Sequence, residues 1–228
     1  MIKQFNTPDD LARGAAAHFV EATKQTIDER GQFHVALSGG STPKRLHHIL
    51  AAEFKSAVDW SKVWIYWGDE RTVPPDHPDS NYRMAKETLL DFVPIPAGNI
   101  HRIMAELDPH EAADQYNAVV KPIDFDLIFL GMGDDGHTAS LFPHTEALKV
   151  MDRDVVANHV PKLDTWRITL TIPKINAAKQ VMFLVAGDSK AETLAHVLKG
   201  EHQPEDYPSQ FIKPALWLVD AAAYAQMG

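Results

Sequence analysis

The sequence contains no cysteine. This absence excludes a disulfide framework, a metal site ligated by thiolates and a catalytic thiol. Long hydrophobic runs are also missing, because the longest ones, such as residues 63–67 and 181–186, fall far short of the roughly 20 residues of a membrane helix. The N-terminal segment MIKQFNTPDDLARG carries charges and a proline where a signal peptide has an apolar run. We therefore expect a cytoplasmic protein.

Positive charge is scarce. The chain of 228 residues has 22 Lys and Arg against 31 Asp and Glu, which makes the formal net charge −9. A general nucleic-acid binder needs a basic surface, and so does a protein that docks on an anionic membrane, so neither partner is expected. Hydrophobic residues make up 45% and charged residues 23%, which are ordinary values for a folded chain. We expect one α/β domain over residues 1–228, as a monomer or a small homo-oligomer.

Helical and extended patterns alternate along the chain. Strands are predicted at residues 33–37, 63–67, 125–130, 167–172, 181–185 and 215–219, and the main helices at 8–31, 44–54, 109–120 and 189–198. Several of the strands are continuous apolar runs, which is typical of a parallel sheet with helices on both faces. In such sheets ligands bind beyond the carboxyl ends of the strands, so polar or glycine-rich segments at those ends are the places to look for chemistry.

One such segment is Ser38-Gly39-Gly40-Ser41-Thr42-Pro43, which follows the first predicted strand. Glycines let the backbone approach a ligand, and the free N–H groups of a helix start bind anions, so the segment suits a phosphate group. It is neither a Walker loop nor a GxGxxG fingerprint, which weakens a nucleotide hypothesis. A tight turn with a Ser/Thr cap explains the same residues equally well.

A second segment carries Asp135 and His137 among three glycines, directly after the most apolar strand. A carboxylate beside an imidazole orients it and raises its basicity, which predicts a general base. A metal site is the first alternative, but no third ligand stands at a typical spacing. A turn with a surface histidine is the second, since the chain has 12 histidines.

Four further polar residues stand near strand ends. Arg71 follows Gly68-Asp69-Glu70 and can hold an anion by paired hydrogen bonds, and Asn81 lies shortly after it. Adjacent acids point in different directions, so at most one of Asp69 and Glu70 is expected to face a ligand. Arg167 and Lys190 are each able to reach a phosphate. Taken singly, each of these residues is better explained as a solvated surface group.

Taken together, the segments LSGGSTP, WGDER, HPDSNY, DLIFLGMGDDGHTASLFP, RITLT and FLVAGDSKAETL resemble the 6-phosphogluconolactonase family. The resemblance runs in order from about residue 37 to residue 190. It implies a Rossmann-like sheet shared with glucosamine-6-phosphate deaminase and ribose-5-phosphate isomerase. It also implies hydrolysis of 6-phosphogluconolactone in the oxidative pentose phosphate pathway, with no metal and no organic cofactor.

The resemblance also assigns roles to residues of this chain. His137 matches the family's general base and Asp135 the carboxylate beside it. The phosphate-side loop of the family corresponds to Gly39, Gly40, Ser41 and Thr42. Two cations that hold phosphate in the related deaminases correspond to Arg167 and Lys190. Arg71 and Asn81 match the Arg of the family's GDER element and the Asn of its SNY element. Two rivals stay open, a sugar-phosphate isomerase or deaminase of the same fold and a non-enzymatic sugar-phosphate sensor.

Overall fold

The computed structural model describes residues 1–227, which form two sheets and the helices around them. The strands are β1 (Ile2–Phe5), β2 (Phe33–Leu37), β3 (Val63–Trp67), β4 (Asp69–Arg71), β5 (Leu127–Leu130), β6 (Val155–Val160), β7 (Thr165–Leu170), β8 (Val181–Val185) and β9 (Leu216–Asp220). The α-helices are α1 (Pro8–Arg30), α2 (Ser41–Glu53), α3 (Asn81–Ala85), α4 (Pro109–Val120), α5 (Ile172–Asn176), α6 (Ala191–Lys199) and α7 (Ala221–Tyr224).

The larger sheet has six parallel strands in the order β1-β9-β8-β5-β2-β3. Every residue of β2, β5 and β8 is buried. Because successive side chains of a strand point to opposite faces, burial at every position means that both faces of the sheet are covered. This confirms the α/β prediction, and it explains why β5 and β8 appear in the sequence as continuous apolar runs and why only His34 interrupts the apolar run of β2.

Helix α1 shows why the local sequence folds as it does. Thr7 precedes the helix with an extended backbone, and its side chain accepts a hydrogen bond from the Asp10 N–H group. Pro8 fits the first turn, where its missing N–H group costs nothing. The helix ends at Gly31, whose φ of 81° lies in the left-handed region that favours glycine. Capping chemistry therefore fixes both ends of this helix.

Several boundaries differ from the sequence prediction. Strands β1 and β6 were not predicted, because β1 (IKQF) lies at an edge and is mostly exposed, and β6 (VVANHV) carries polar residues. Helix α2 begins at Ser41, three residues before the predicted start at Lys44. Strand β7 ends at Leu170, and Ile172 already begins helix α5, because Thr171 caps that helix.

The smaller sheet is antiparallel, with the order β4-β7-β6. Strand β4 is only three polar residues long, so no hydrophobic pattern announces it. It follows β3 after Gly68, whose carbonyl accepts a hydrogen bond from Leu170. The pairing sets Arg71 opposite Arg167. A side sheet that the sequence did not reveal therefore brings two arginines together next to the carboxyl end of β3.

The chain order creates a crevice between β2 and β5. From β2 the chain continues to the neighbouring β3 on one side, and from β5 it continues to the neighbouring β8 on the other. Such a reversal of direction leaves room between the loops that follow the two central strands. Those loops are the segments that start at Ser38 and at Gly131. Within residues 1–227, no helix has both the length and the hydrophobicity needed to cross a bilayer.

Candidate active site

A cavity of about 260 Å³ occupies this crevice. The residues that line it come from the carboxyl ends of β2, β5 and β8, from β4, which follows the carboxyl end of β3, and from the start of α3. They include eight of the ten residues that the sequence singles out: Gly39, Gly40, Ser41, Thr42, Arg71, Asn81, His137 and Lys190. These segments therefore converge on one polar cavity.

The floor of the cavity is the loop that leads into α2. Gly40 precedes the helix with a φ of 103°, and no side chain caps the first turn. An ideal Cβ on Gly39 would lie 1.9 Å from Asn81 Oδ1, so only glycine fits there. The N–H groups of the first turn have no partner within the helix, and the helix dipole makes this end partly positive. The arrangement can bind a phosphate group.

His137 and Asp135 form a hydrogen-bonded pair. Nδ1 of His137 lies 2.5 Å from Oδ1 of Asp135, so Nδ1 carries the proton that is donated to the carboxylate and Nε2 is free to accept another. The imidazole stacks on the ring of Phe142 with the ring centroids 4.0 Å apart. An ideal Cβ on Gly133 would lie 2.1 Å from this imidazole, so glycine at that position gives the ring its space.

The second carboxylate oxygen of Asp135 has its own partner. Lys162 Nζ donates to Oδ2 over 2.9 Å. Burial by itself would raise the pKa of Asp135, but the hydrogen bonds from His137 and Lys162 outweigh it and hold this pKa well below its ordinary range. Asp135 is therefore a carboxylate at neutral pH, and it accepts the hydrogen bond from His137 in that form.

Asp69 is the acid that faces the cavity, while Glu70 points away from it. Asp69 is 7% exposed, and it accepts hydrogen bonds from Ser140 Oγ at 2.7 Å and from Asn81 Nδ2 at 3.3 Å. Glu70 instead accepts the backbone N–H groups of Arg71, Asn81 and Tyr82, so it holds the start of α3 in place. Burial raises the pKa of Glu70, and these N–H groups offset part of the rise.

A second cavity of about 280 Å³ adjoins the first and is also lined by His137. Asp69, Arg71, His137 and Ala139 line both cavities, whereas Asp135 and Arg167 line only the second one. Burial lowers the pKa of Arg167, and the positive charge of Arg71 lowers it further. Within residues 1–227 neither arginine forms an ion pair with a carboxylate. Two adjacent guanidinium groups of this kind attract an anion.

Lys190 lies at the rim of the first cavity, and Asp134 holds its ammonium group. Nζ lies 2.5 Å from Oδ1 of Asp134. The Lys190 side chain is 23% exposed, and the Asp134 side chain is 73% exposed. An ion pair with so exposed a partner is weak, so an anionic ligand can compete for the ammonium group.

The structure thus brings the ten predicted residues to two adjoining cavities that share His137 and Arg71. The family resemblance groups Arg167 with Lys190 at one phosphate site, whereas in the structure Arg167 lines the second cavity and Lys190 the first. The sequence leaves open whether Asp69 or Glu70 faces the ligand, and the structure turns Asp69 to the cavity. Asp134, Ser140 and Lys162 are further residues that the sequence does not single out, and Lys162 carries no signal of its role. Within the described part of the chain, no three His, Asp or Glu side chains cluster closely enough to hold a metal ion.

The fold and the site define a class of protein. A polar crevice at the switch point of a parallel sheet, with a helix N-terminus, two arginines that form no ion pair within residues 1–227 and a carboxylate–histidine pair, is typical of an α/β protein that binds a small anionic ligand. The family of glucosamine-6-phosphate isomerases and 6-phosphogluconolactonase matches residues 6–219. The chain belongs to this family.

Individual relatives agree. A 6-phosphogluconolactonase from Synechocystis is 48% identical over 212 residues, which cover 87% of this chain and 86% of the relative. One from Haemophilus influenzae is 41% identical and covers 83% and 85%. Among solved structures, the 6-phosphogluconolactonase of Thermotoga maritima superposes with a TM-score of 0.85 at 28% identity, over 96% of this chain and 99% of that one. A monomeric glucosamine-6-phosphate deaminase reaches a TM-score of 0.86 at 19% identity, over 99% of each chain, which shows the shared fold alone.

Proposed function

We propose that this protein is an enzyme that hydrolyses 6-phosphogluconolactone to 6-phosphogluconate, the second step of the oxidative pentose phosphate pathway. The family membership and the named relatives at 41–48% identity support the activity. The observation that carries it in the structure is the pair of His137 and Asp135, because it presents a free imidazole nitrogen beside a phosphate-sized anion site. Ester hydrolysis needs a base that removes a proton from water, and this pair is suited to that task.

The proposed chemistry follows from the geometry. The substrate phosphate binds at the Gly39–Thr42 loop with Lys190 beside it, and Arg167 contributes charge from the adjoining cavity. Nε2 of His137 takes a proton from a water molecule as its oxygen attacks the lactone carbonyl. Asp135 stabilises the imidazolium ion that forms. Negative charge grows on the carbonyl oxygen, for which Arg71 and the backbone N–H groups of the strand ends are the available donors.

Ring opening completes the reaction. The bond between the carbonyl carbon and the ring oxygen breaks, and His137 returns its proton to that oxygen. The products are a carboxylic acid, which ionises, and a free hydroxyl group. Water supplies every atom that is added, so the reaction balances without a metal or an organic cofactor. Asp69, which Asn81 and Ser140 hold in place, lies beside these atoms and is suited to accept hydrogen bonds from sugar hydroxyl groups.

The experiment is a direct assay. The lactone is generated in situ and its opening is followed as acid release against the spontaneous background, in the presence and absence of the protein. Glucosamine 6-phosphate and ribose 5-phosphate serve as parallel substrates for the deaminase and isomerase alternatives. Acceleration of lactone opening alone supports the proposal, and acceleration of either other reaction without it rejects the proposal. Binding of all three sugar phosphates without any turnover identifies a sensor.

We further propose that one α/β domain comprising residues 1–228 does this work in the cytoplasm, as a monomer or a small homo-oligomer and without a nucleic-acid partner. A single cluster of buried side chains that runs from Leu11 to Met227 supports one domain. The net charge of −9 disfavours a polyanionic partner. A phosphorylated substrate does not cross a bilayer unaided, so the enzyme is expected in the compartment where the lactone forms.

A further inference from the structure

Lys162 reaches the candidate catalytic pair from the smaller sheet. It lies in the turn Pro161–Leu163, which joins β6 to β7, and its Nζ donates to Asp135 Oδ2 over 2.9 Å. The other oxygen of the same carboxylate lies 2.5 Å from His137 Nδ1. The carboxylate of Asp135 is thus held between an ammonium group on one side and an imidazole on the other.

We propose that Lys162 is a positioning residue that fixes the Asp135 carboxylate against His137 and makes His137 harder to protonate. This proposal rests on the function proposed above. A carboxylate that accepts a hydrogen bond at each oxygen rotates less freely about its terminal bond, so the imidazole that is hydrogen-bonded to it is held at the wall of both cavities. The ammonium group also repels an imidazolium ion on the far side of the carboxylate, which keeps the base unprotonated at lower pH.

Other charges surround the pair from several elements. Those that share the second cavity with both residues are Asp69 and Arg71 on β4, Arg167 on β7 and Asp134 in the loop after β5. Lys190 lies beside His137 in the first cavity and is paired with Asp134. Behind Asp135, a further cavity is lined by Glu192 and His196 on α6 and by Asp206 and Tyr207. All of these groups remain in a Lys162 variant, so a change in pH dependence reports on Lys162.

The test is the acid limb of the pH profile of kcat/KM. For Lys162→Gln we expect the limb to move to higher pH by about half a unit. The interaction of two unit charges roughly 6 Å apart in water corresponds to a pKa change of about that size. We also expect kcat to fall severalfold at neutral pH, because the carboxylate is less well oriented. Lys162→Arg keeps the charge and should keep the wild-type limb. Added salt should reduce the difference between wild type and Lys162→Gln.

Lys149 provides a matched control. Its side chain is 67% exposed, against 69% for Lys162, and its Nζ also lies 2.9 Å from a carboxylate oxygen, that of Glu146. Lys149 lines neither of the two cavities. Lys149→Gln removes the same charge from an equally exposed lysine whose partner Glu146 is 85% exposed, against 24% for Asp135, so it should leave the acid limb where it is in the wild type.

A proton NMR titration of His137 separates this proposal from the proposed function. The resonance of His137 is assigned by its absence in His137→Gln. The midpoint of its titration is measured without substrate. An upward shift of the midpoint in Lys162→Gln supports the proposal even if the protein opens no lactone. The proposal is overturned if both the titration midpoint of His137 and the acid limb stay at their wild-type values in Lys162→Gln. It is also overturned if kcat falls while neither of them shifts. A Lys162→Arg variant that behaves like Lys162→Gln also overturns it.

Discussion

Substitution of Gly39 by alanine probes the tightest contact of the site. An ideal Cβ at this position lies 1.9 Å from Oδ1 and 2.6 Å from Cγ of Asn81, so the two side chains cannot coexist as they stand. Asn81 is 2% exposed, and its Nδ2 donates to the backbone oxygen of Asp69 at 3.0 Å and to its carboxylate at 3.3 Å. The amide therefore has to break both hydrogen bonds in order to move away.

The expected loss of stability is estimated from those two hydrogen bonds. A buried polar group that loses its partner costs about 1–3 kcal/mol, so we expect Gly39→Ala to lower the free energy of unfolding by about 2–4 kcal/mol. Urea denaturation measures this difference. Gly98→Ala is the control, because a Cβ at Gly98 meets no atom within 4 Å and the change should stay within about 0.5 kcal/mol. KM should also rise in Gly39→Ala, since the same loop is the proposed phosphate site.

A double variant tests the cause. In Gly39→Ala/Asn81→Ala the collision partner is gone, so the double variant should be no less stable than Asn81→Ala alone. If the two single costs simply add, or if Gly39→Ala unfolds at the wild-type urea concentration, the contact does not constrain the loop and the reasoning is refuted.

Three further predictions concern the base, the phosphate site and the stability of the chain. His137→Gln should lower kcat by about 10²–10⁴-fold with little change in KM, and steady-state kinetics that show full activity would remove His137 from the proposed role. Lys190→Met should mainly raise KM for the lactone, and an unchanged KM would place the phosphate elsewhere. Burial lowers the pKa of His47 from 6.5 to about 3, so below pH 6.5 the unfolded chain binds a proton that the folded chain does not. Wild type should therefore lose about 1.4 kcal/mol of stability per pH unit through this group as the pH falls from 6.5 towards 3, and urea denaturation of His47→Gln over the same pH range should lack that slope.

Most of the features that could be predicted depend on residues that are close together in the sequence. The strands β2, β3 and β8 were predicted at their observed bounds, because each is a short and mainly apolar run between more polar or glycine-containing segments. The pair of Asp135 and His137 is equally local, since two residues in one loop can only lie near each other. The segments after the strands were expected to meet because parallel strands have their carboxyl ends at the same edge of a sheet.

Contacts between distant segments were not predictable in this way. Lys162 lies 27 residues from the Asp135 carboxylate that it contacts, and Ser140 lies 71 residues from Asp69. Strand β4 has only three polar residues, so the pairing that sets Arg71 opposite Arg167 leaves no pattern in the sequence. The division of the site into two cavities depends on this side sheet, and it separates Arg167 from Lys190.

Local sequence patterns thus determined the architecture of this protein and marked the residues of its proposed site. The parallel sheet and its helices follow from patterns of burial and capping, and the Gly39–Thr42 loop and the neighbouring Asp135 and His137 stand out at strand ends, where the family resemblance gives them their proposed roles. Only the tertiary structure decided which charges act together. It placed Asp69 rather than Glu70 towards the cavity, paired Lys190 with Asp134 and brought Lys162 to Asp135. The physical reason is that side-chain electrostatics depends on distances through space, and the packing of two sheets sets those distances.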